Sequence, residues 1–166
     1  MRVIYFFSML IFAQHGFSQS TEEQAINKDV WNNFMQAYQD LDASLFNQIH
    51  TSDVLRVTLN KQGSLLIGQE YKDQNLQSFN RWNSQKVKQK IEFSFYKRVQ
   101  KANWAYETGI YKLTRYNRAS SQSFYGKFNV TLKKVSGVWK IQIDSDTNEG
   151  GTIGEANFQK GDILDY

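Results

Sequence analysis

Apolar residues recur every three to four positions in the first half of the chain, which is the spacing of one helix face. They follow at steps of four from Ile26 to Tyr38, after a hydroxyl and carboxylate pair at 20–23 that forms a capping box, and predict a helix of about five turns. The same spacing predicts a short second helix after Asp42 and a third helix over 68–85.

The period of the pattern changes to two in the segments that we predict as strands. These are 54–60, 64–67, 87–99, 104–117, 123–133 and 138–144. In the last of them Trp139, Ile141 and Ile143 are predicted to share one face. Helices followed by a meander of long antiparallel strands are typical of the α+β class.

The first residues have the layout of a secretory signal peptide over 1–18, with a basic start, an apolar stretch over 3–13 and small residues before a cut ahead of Gln19. The alternative is an uncleaved anchor helix, but eleven apolar residues are fewer than the roughly 20 that a membrane span needs. We therefore expect a secreted or periplasmic protein without a membrane span after cleavage. Its single domain would cover 19–166, with a C-terminal tail from about residue 147.

Composition restricts the available chemistry. The chain has 166 residues with no cysteine and no proline, which excludes a disulfide framework and any cysteine-ligated zinc or iron–sulfur site. Without the leader His50 is the only histidine, so a histidine zinc site or a Ser-His-Asp triad would rest on one residue. Acid–base chemistry would fall mainly to Asp, Glu, Tyr or Lys, and no cofactor is expected.

Charge is distributed unevenly along the chain. Residues 86–140 carry thirteen basic and two acidic side chains, whereas 141–166 carry one basic and six acidic ones. A basic sheet would favour an anionic partner; the alternative is a solvated sheet face whose lysines protect its edges. We expect no nucleic acid partner, and the acidic tail offers an internal partner for the basic sheet.

Five short motifs occur in a fixed order between residues 22 and 146. They are AYQDLD at 37–42 leading into Leu45-Phe46, IHTSDVLRV at 49–57, AYETGIY at 105–111, YGKF at 125–128 and GVWKIQID at 137–144. Their order and spacing together resemble the SnoaL-like group of the nuclear transport factor 2-like superfamily.

The resemblance implies a cone-shaped, cystatin-like α+β roll in which three helices pack on a strongly curved antiparallel sheet, with a pocket in the mouth of the cone. Ketosteroid isomerases of this superfamily place an aspartate base just after the second helix, but the corresponding stretch here, LRVTLN at 55–60, contains no carboxylate. The resemblance therefore favours a small-ligand-binding or dimerising module without established catalysis. We expect a homodimer that forms through the sheet.

Aromatic residues at inward positions predict a cavity suited to a small apolar or planar ligand. The alternative is a filled core, because aromatic side chains are large enough to close a small cone. The predicted pocket residues are Trp31, Phe34, Tyr38, Arg56, Phe93, Glu107, Tyr111, Phe128 and Trp139.

Glu107 and Tyr38 are the candidates for catalysis in this pocket. Burial of Glu107 on its strand would raise its pKa towards that of a general acid or base; a salt-bridged or exposed glutamate is the alternative. Tyr38 would direct its hydroxyl into the cavity or serve as a core aromatic. Together they would support isomerase- or dehydratase-like chemistry, the alternative to a binding module.

His50 and Arg56 are weaker candidates. His50 follows the second helix and would be either a packing histidine or a base. Arg56 would bind an anionic ligand, or pair with a carboxylate such as Glu107 or Asp53.

The segment after the last predicted strand imitates a calcium loop. Its oxygen ligands would be Asp144, Asp146, Asn148 and the distal Glu155, in a D-x-D-x-N arrangement. Glu149 stands where such a loop needs glycine, and a strand precedes it where an EF-hand has a helix. A polar turn is therefore the favoured interpretation, with the four residues kept as a weak metal candidate.

Overall fold

The computed structural model describes residues 20–59 and 62–165, which form an α+β fold. The predicted leader at 1–18 lies outside the described residues. The helical elements are α1 (Thr21–Ile26), a π-helical segment (Asn27–Trp31), α2 (Asn32–Asp40), α3 (Ala43–Gln48), α4 (Gln69–Ser84) and α5 (Glu155–Phe158). The first three are continuous and form the long helix that the sequence predicts.

Two side-chain caps and one left-handed residue set the ends of the first helices. Ser20 Oγ accepts the backbone N–H of Glu23 at 3.1 Å and so begins α1. Leu41 adopts a left-handed conformation with φ of 56° and ends α2. Asp42 then begins α3 by accepting the N–H of Leu45 at 3.0 Å.

Seven strands form one sheet in the order β2-β1-β6-β5-β4-β3-β7. They are β1 (His50–Thr58), β2 (Ser64–Ile67), β3 (Lys88–Lys101), β4 (Trp104–Tyr116), β5 (Ser121–Val135), β6 (Val138–Thr147) and β7 (Asp162–Ile163).

The sheet is mixed, whereas the sequence predicts a purely antiparallel one. β1 runs parallel to β6, and every other neighbouring pair is antiparallel. Helix α4 carries the chain from β2 towards β3, and the meander β3–β6 then returns to β1. Because α4 separates the first hairpin from the meander, β6 is free to lie parallel to β1. Alternation of apolar residues reports the face of a strand and not its direction, so the pattern could not reveal this pair.

Irregularities in strand pairing bend the sheet. The register shifts between Phe95 and Lys97 on β3, and between Thr131 and Leu132 on β5; such bulges increase local bending and twist. Gly109 lies beside the first of them, where a side chain would overlap the carbonyl oxygen of Ser94. This position therefore needs glycine.

The two faces of the sheet have different partners. Helices α1 to α4 cover the inner face, where Trp31, Phe46, Phe79 and Phe93 are buried in the core. The C-terminal tail lies on the outer face, as its charge predicts. Among the described residues, no helix is long and apolar enough to cross a bilayer.

Several contacts hold the tail against the sheet. Glu155 lies 2.7 Å from the ammonium of Lys112, and the same carboxylate accepts the hydroxyl of Tyr125 at 2.5 Å. Phe158 is only 3% exposed, and β7 pairs with the edge of β3.

Candidate functional site

A cavity of about 110 Å³ lies between the helices and the inner face of the sheet. Most of its wall is aromatic or aliphatic, and one end is polar. The lining residues are Trp31, Phe34, Tyr38, Phe46, Arg56, Tyr71, Ile91, Phe93, Tyr111, Leu113, Phe128, Val130, Asp144 and Asp146.

Trp31 is the centre of the apolar wall. It belongs to the π-helical segment, and such segments are frequent near functional sites. Its ring centroid lies 4.6 Å from that of Phe93 and 5.3 Å from that of Phe128. Phe34 stacks beside it at 6.1 Å. These contacts fix the rings against each other, so the wall is formed before any ligand arrives.

Arg56 and two aspartates form the polar end. Arg56 on β1 lies opposite Asp144 on β6, so their side chains share the inner face. Its Nη1 is 2.8 Å from Asp144 Oδ1, and its Nη2 is 2.8 Å from Asp146 Oδ1. Burial alone would lower the pKa of Arg56, but the two carboxylates raise it. Arg56 therefore pairs with these aspartates and not with Glu107 or Asp53.

Three tyrosines surround the carboxylates. Tyr71 donates to Asp144 at 3.2 Å and Tyr111 donates to Asp146 at 3.3 Å. Tyr38 lines the cavity, and its hydroxyl bonds to no residue within 20–59 and 62–165. Burial raises the pKa of Tyr38 to about 12, and burial together with the carboxylates raises the pKa of Tyr71 and Tyr111. All three remain protonated donors at neutral pH.

Gly126 makes room for one of these tyrosines. It pairs with Tyr111 across β4 and β5, and a Cβ atom at this position would overlap the Tyr111 ring. The glycine of the YGKF motif thus allows Tyr111 to lie flat against the neighbouring strand and reach Asp146.

His50 lies behind Asp144 and does not line the cavity. It is 1% exposed, and its Nδ1 donates to the carbonyl oxygen of Phe46 at 2.8 Å. Its Nε2 is 3.9 Å from Asp144 Oδ2. Burial would raise the pKa of Asp144, but the charge of Arg56, the nearby His50 and the hydrogen bond from Tyr71 outweigh it and hold the pKa below its ordinary value.

Glu107 and Trp139, both predicted as pocket residues, do not line the cavity. Glu107 is completely buried and pairs with Arg98 at 2.8 Å, while Trp31 Nε1 donates to its other oxygen at 2.6 Å. Trp139 Nε1 donates to Glu22 at 3.0 Å. Both side chains are therefore held by the packing between α1, the π-helical segment and the sheet, away from the polar end.

The weak metal candidate does not form a metal site. Asp144 and Asp146 face the Arg56 guanidinium, and Glu155 pairs with Lys112 on the outer face. Asn148 caps a turn by accepting the N–H of Gly150. In the part of the chain that the structure describes, no group of three or more His, Cys, Asp or Glu side chains could hold a metal ion.

Seven of the nine predicted pocket residues lie around the cavity. The alternation of apolar and polar residues did not predict Asp144 and Asp146, the two carboxylates of the polar end. The cause is an extra residue in β6. One step along β5, from Leu132 to Thr131, corresponds to two steps along β6, from Ile141 to Ile143. This bulge turns Ile143 away from the face of Ile141 and turns Asp144 inward, contrary to the predicted alternation. The D-S-D sequence was the available signal, because it places two carboxylates on one face of a strand.

The fold was compared with known proteins. No protein-family model matches the sequence, and no curated protein is similar to it. An NTF2-like protein of unknown function from Shewanella oneidensis matches with a TM-score of 0.63 and 12% identity, over 76% of this chain and 99% of its own. A ketosteroid isomerase-like protein from Erwinia carotovora matches at 0.57 and 17%, over 77% and 97%.

A third similar structure is an NTF2-like protein with a cystatin-like fold from Novosphingobium aromaticivorans, with a TM-score of 0.61 and 8% identity over 81% of this chain and 85% of its own. Identities this low establish the fold and leave the activity open. The chain therefore has the nuclear transport factor 2-like fold, the cone-shaped α+β roll that its motifs indicate.

Proposed function

We propose that this protein binds a small, mostly apolar and planar molecule that carries one polar group. The observation that carries the proposal is the division of the cavity into an aromatic wall around Trp31 and a polar end around Arg56 and Asp146. Ligand sites in proteins commonly combine an apolar lining with a few convergent polar groups.

The volume limits the size of the ligand. An apolar cavity of about 150 Å³ holds benzene, and ordinary ligand pockets begin at about 300 Å³. A cavity of about 110 Å³ is smaller than both and therefore admits at most one small ring. The side chains of Arg56 and Asp146 are 18% and 16% exposed, so a substituent on that ring would reach solvent at the polar end.

The protonation of the lining groups favours binding over acid–base catalysis. An efficient general acid or base has a pKa near the working pH. The pKa of Asp144 is held below its ordinary value, and that of Tyr38 is raised to about 12. Glu107, the candidate base of an isomerase- or dehydratase-like reaction, is paired with Arg98 and does not line the cavity.

A titration with benzyl alcohol tests the proposal. Chemical shifts in ¹H–¹⁵N NMR spectra should change for residues around the cavity, with a saturable dependence on concentration. Val130→Phe fills part of the cavity and should weaken binding at least about tenfold, whereas Val135→Phe, on the same strand but outside the cavity, should leave it unchanged. Equal binding by both variants would contradict the proposal.

The proposal includes export through a cleaved leader at 1–18. The basis is the sequence layout alone, and the experiment is expression of the complete gene followed by N-terminal sequencing of the secreted form. A mature N-terminus at Gln19 is expected; retention of Met1 in the isolated protein would contradict it.

A second candidate function concerns the half of the outer face that the tail leaves bare. We name Val99, Lys101, Trp104, Tyr106 and Lys133 the outer patch; they are neighbours on three strands. Its three apolar side chains are 42–47% exposed, and the ammonium of Lys133 lies 5.4 Å from the Trp104 ring. The two lysines favour an anionic polymer, and the rings beside them offer flat apolar surfaces for its uncharged parts.

A homodimer through the sheet competes for the outer patch. Pairing two copies there would bring lysines close to lysines, which is unfavourable. We therefore favour an anionic polymer over a homodimer as the partner of the outer patch. Salt-sensitive retention on heparin that Lys101→Gln and Lys133→Gln together abolish would support it, whereas a stable dimer in sedimentation without heparin retention would support the homodimer instead.

A further inference from the structure

We infer that the cavity selects a protonated amine as the polar group of its ligand, an inference that rests on the proposed binding function. Within residues 20–59 and 62–165, the cavity is lined by two carboxylates and one guanidinium. With Asp144 and Asp146 ionised and Arg56 protonated, the polar end has one excess negative charge. A cationic ligand would neutralise this excess, and an anionic ligand would double it.

The two aspartates differ in the hydrogen bonds that they accept from the protein. Asp144 accepts two hydrogen bonds, from Arg56 at 2.8 Å and from Tyr71 at 3.2 Å. From donors in the described part of the chain Asp146 accepts one, from Tyr111 at 3.3 Å. Its Oδ1 lies 2.8 Å from Nη2 of Arg56, but no donor within the described residues is aligned with it as a hydrogen bond. Asp146, whose side chain is 16% exposed at the rim of the cavity, therefore retains acceptor capacity: its buried Oδ1 has no aligned donor, and its Oδ2 accepts one long hydrogen bond.

An ammonium group placed at this rim would meet three favourable partners. Asp146 would accept a charge-assisted hydrogen bond, which is stronger than a neutral one. The electron-rich faces of the nearby aromatic rings would attract the cation as well. The hydroxyl of Tyr38, without a partner among the described residues, would turn its lone pair towards the same group.

An anionic ligand would have no free cation to bind. Among the residues that the structure describes, Arg56 is the one cationic residue of the lining, and its guanidinium already contacts both aspartates. Arg115 does not line the cavity, and its guanidinium lies over the Trp82 ring. Its positive charge lowers the pKa of Tyr38, against the larger effect of burial. His50 lies behind Asp144, with its Nδ1 engaged by Phe46. Neither group reaches the rim in place of Arg56.

The test compares three single-ring probes of similar size: benzylammonium, benzyl alcohol and benzoate. Their dissociation constants are measured with the wild-type protein at neutral pH by NMR titration and calorimetry. Benzylammonium should bind about tenfold more tightly than benzyl alcohol, and benzoate should bind more weakly than either. Equal binding of amine and alcohol, or tighter binding of benzoate, would overturn the inference.

Matched variants test whether the preference for the amine depends on Asp146. Asp146→Asn keeps the shape of the side chain but removes the excess charge, so the tenfold preference for the amine should disappear. Asp53→Asn removes an exposed carboxylate of neighbouring β1 that does not line the cavity, and the preference should remain. Loss of the preference in Asp53→Asn, or its survival in Asp146→Asn, would contradict the assignment to Asp146.

The outcomes separate this inference from the proposed function. If benzyl alcohol binds in the cavity and the amine gains nothing, selection of amines is wrong and the binding function stands. If neither probe binds and Val130→Phe behaves as the wild type, both are wrong.

Discussion

The buried ion pair between Arg98 and Glu107 makes a sharp prediction about stability. Glu107 is fully buried and Arg98 is 9% exposed, with 2.8 Å between Nε and Oε1. Arg98 also donates to Asn27 at 2.7 Å, which ties the sheet to the first helix. We consider the substitution Arg98→Met, which keeps much of the apolar stem and removes the charge.

The expected loss is large because a buried carboxylate would remain without a cation. Breaking one side of a buried ion pair costs about 3–5 kcal/mol, and among the described side chains Trp31 Nε1 would be the donor left to Glu107. In the double variant Arg98→Met, Glu107→Gln, no uncompensated charge remains, so most of this loss should be recovered.

The loss should also depend on pH. Burial raises the pKa of Glu107 above its ordinary value of 4.5 even with Arg98 beside it, and removal of that cation would raise the pKa further. A carboxyl with a raised pKa binds a proton more tightly in the folded state, so the stability of the variant falls as pH rises through that pKa. Arg98→Met should therefore lose more stability at pH 8 than at pH 5.

Urea unfolding followed by tryptophan fluorescence at both pH values measures these differences. Lys101→Met, at an exposed position of the same strand, is the control and should change the free energy of unfolding by less than about 0.5 kcal/mol. The reasoning fails if Arg98→Met matches Lys101→Met, or if its loss of stability is greater at pH 5 than at pH 8.

Three further predictions concern the cavity and the tail. Gly126→Ala should displace the Tyr111 ring and destabilise the protein by about 1–3 kcal/mol, measured by thermal unfolding, with an unchanged melting temperature as the contrary result. Phe158→Ala should cost about 3–5 kcal/mol because this side chain is 3% exposed; a change below about 1 kcal/mol in urea would show that the tail is not docked. Asp144 has a lowered pKa, so its contribution to stability is present above its unfolded pKa of about 3.8 and is lost as pH falls through the folded value. Asp144→Asn should remove that part of the acid-induced loss, and an acid titration identical to the wild type would contradict the role of Arg56 as its partner.

Much of the fold could be predicted because its elements have strong periods and caps. The steps of four from Ile26 to Tyr38 and the cap at Asp42 predict helices that the structure contains. The alternation along β3 to β5 predicts strands to within about two residues. The parallel pairing of β1 with β6 could not be predicted, because it depends on how α4 crosses the molecule and not on any local pattern.

The cavity was harder to predict at its polar end than along its wall. Large aromatic residues such as Phe93 and Phe128 go inward by alternation alone. Asp144 goes inward because β6 contains an additional residue near Gln142, and a bulge leaves no mark in a period-two pattern. Glu107 alternates as an inward residue should, but sequence spacing could not show that Arg98 and Trp31 would hold it away from the cavity.

The central claim is that the cavity between Trp31 and Asp146 is a ligand site. A crystal structure of the protein soaked with benzylammonium tests it most directly. The account predicts electron density for the ring against Trp31 and Phe93, with the ammonium nitrogen within hydrogen-bond distance of Asp146. An empty or collapsed cavity at a saturating concentration, or the probe bound only elsewhere on the protein, would contradict it.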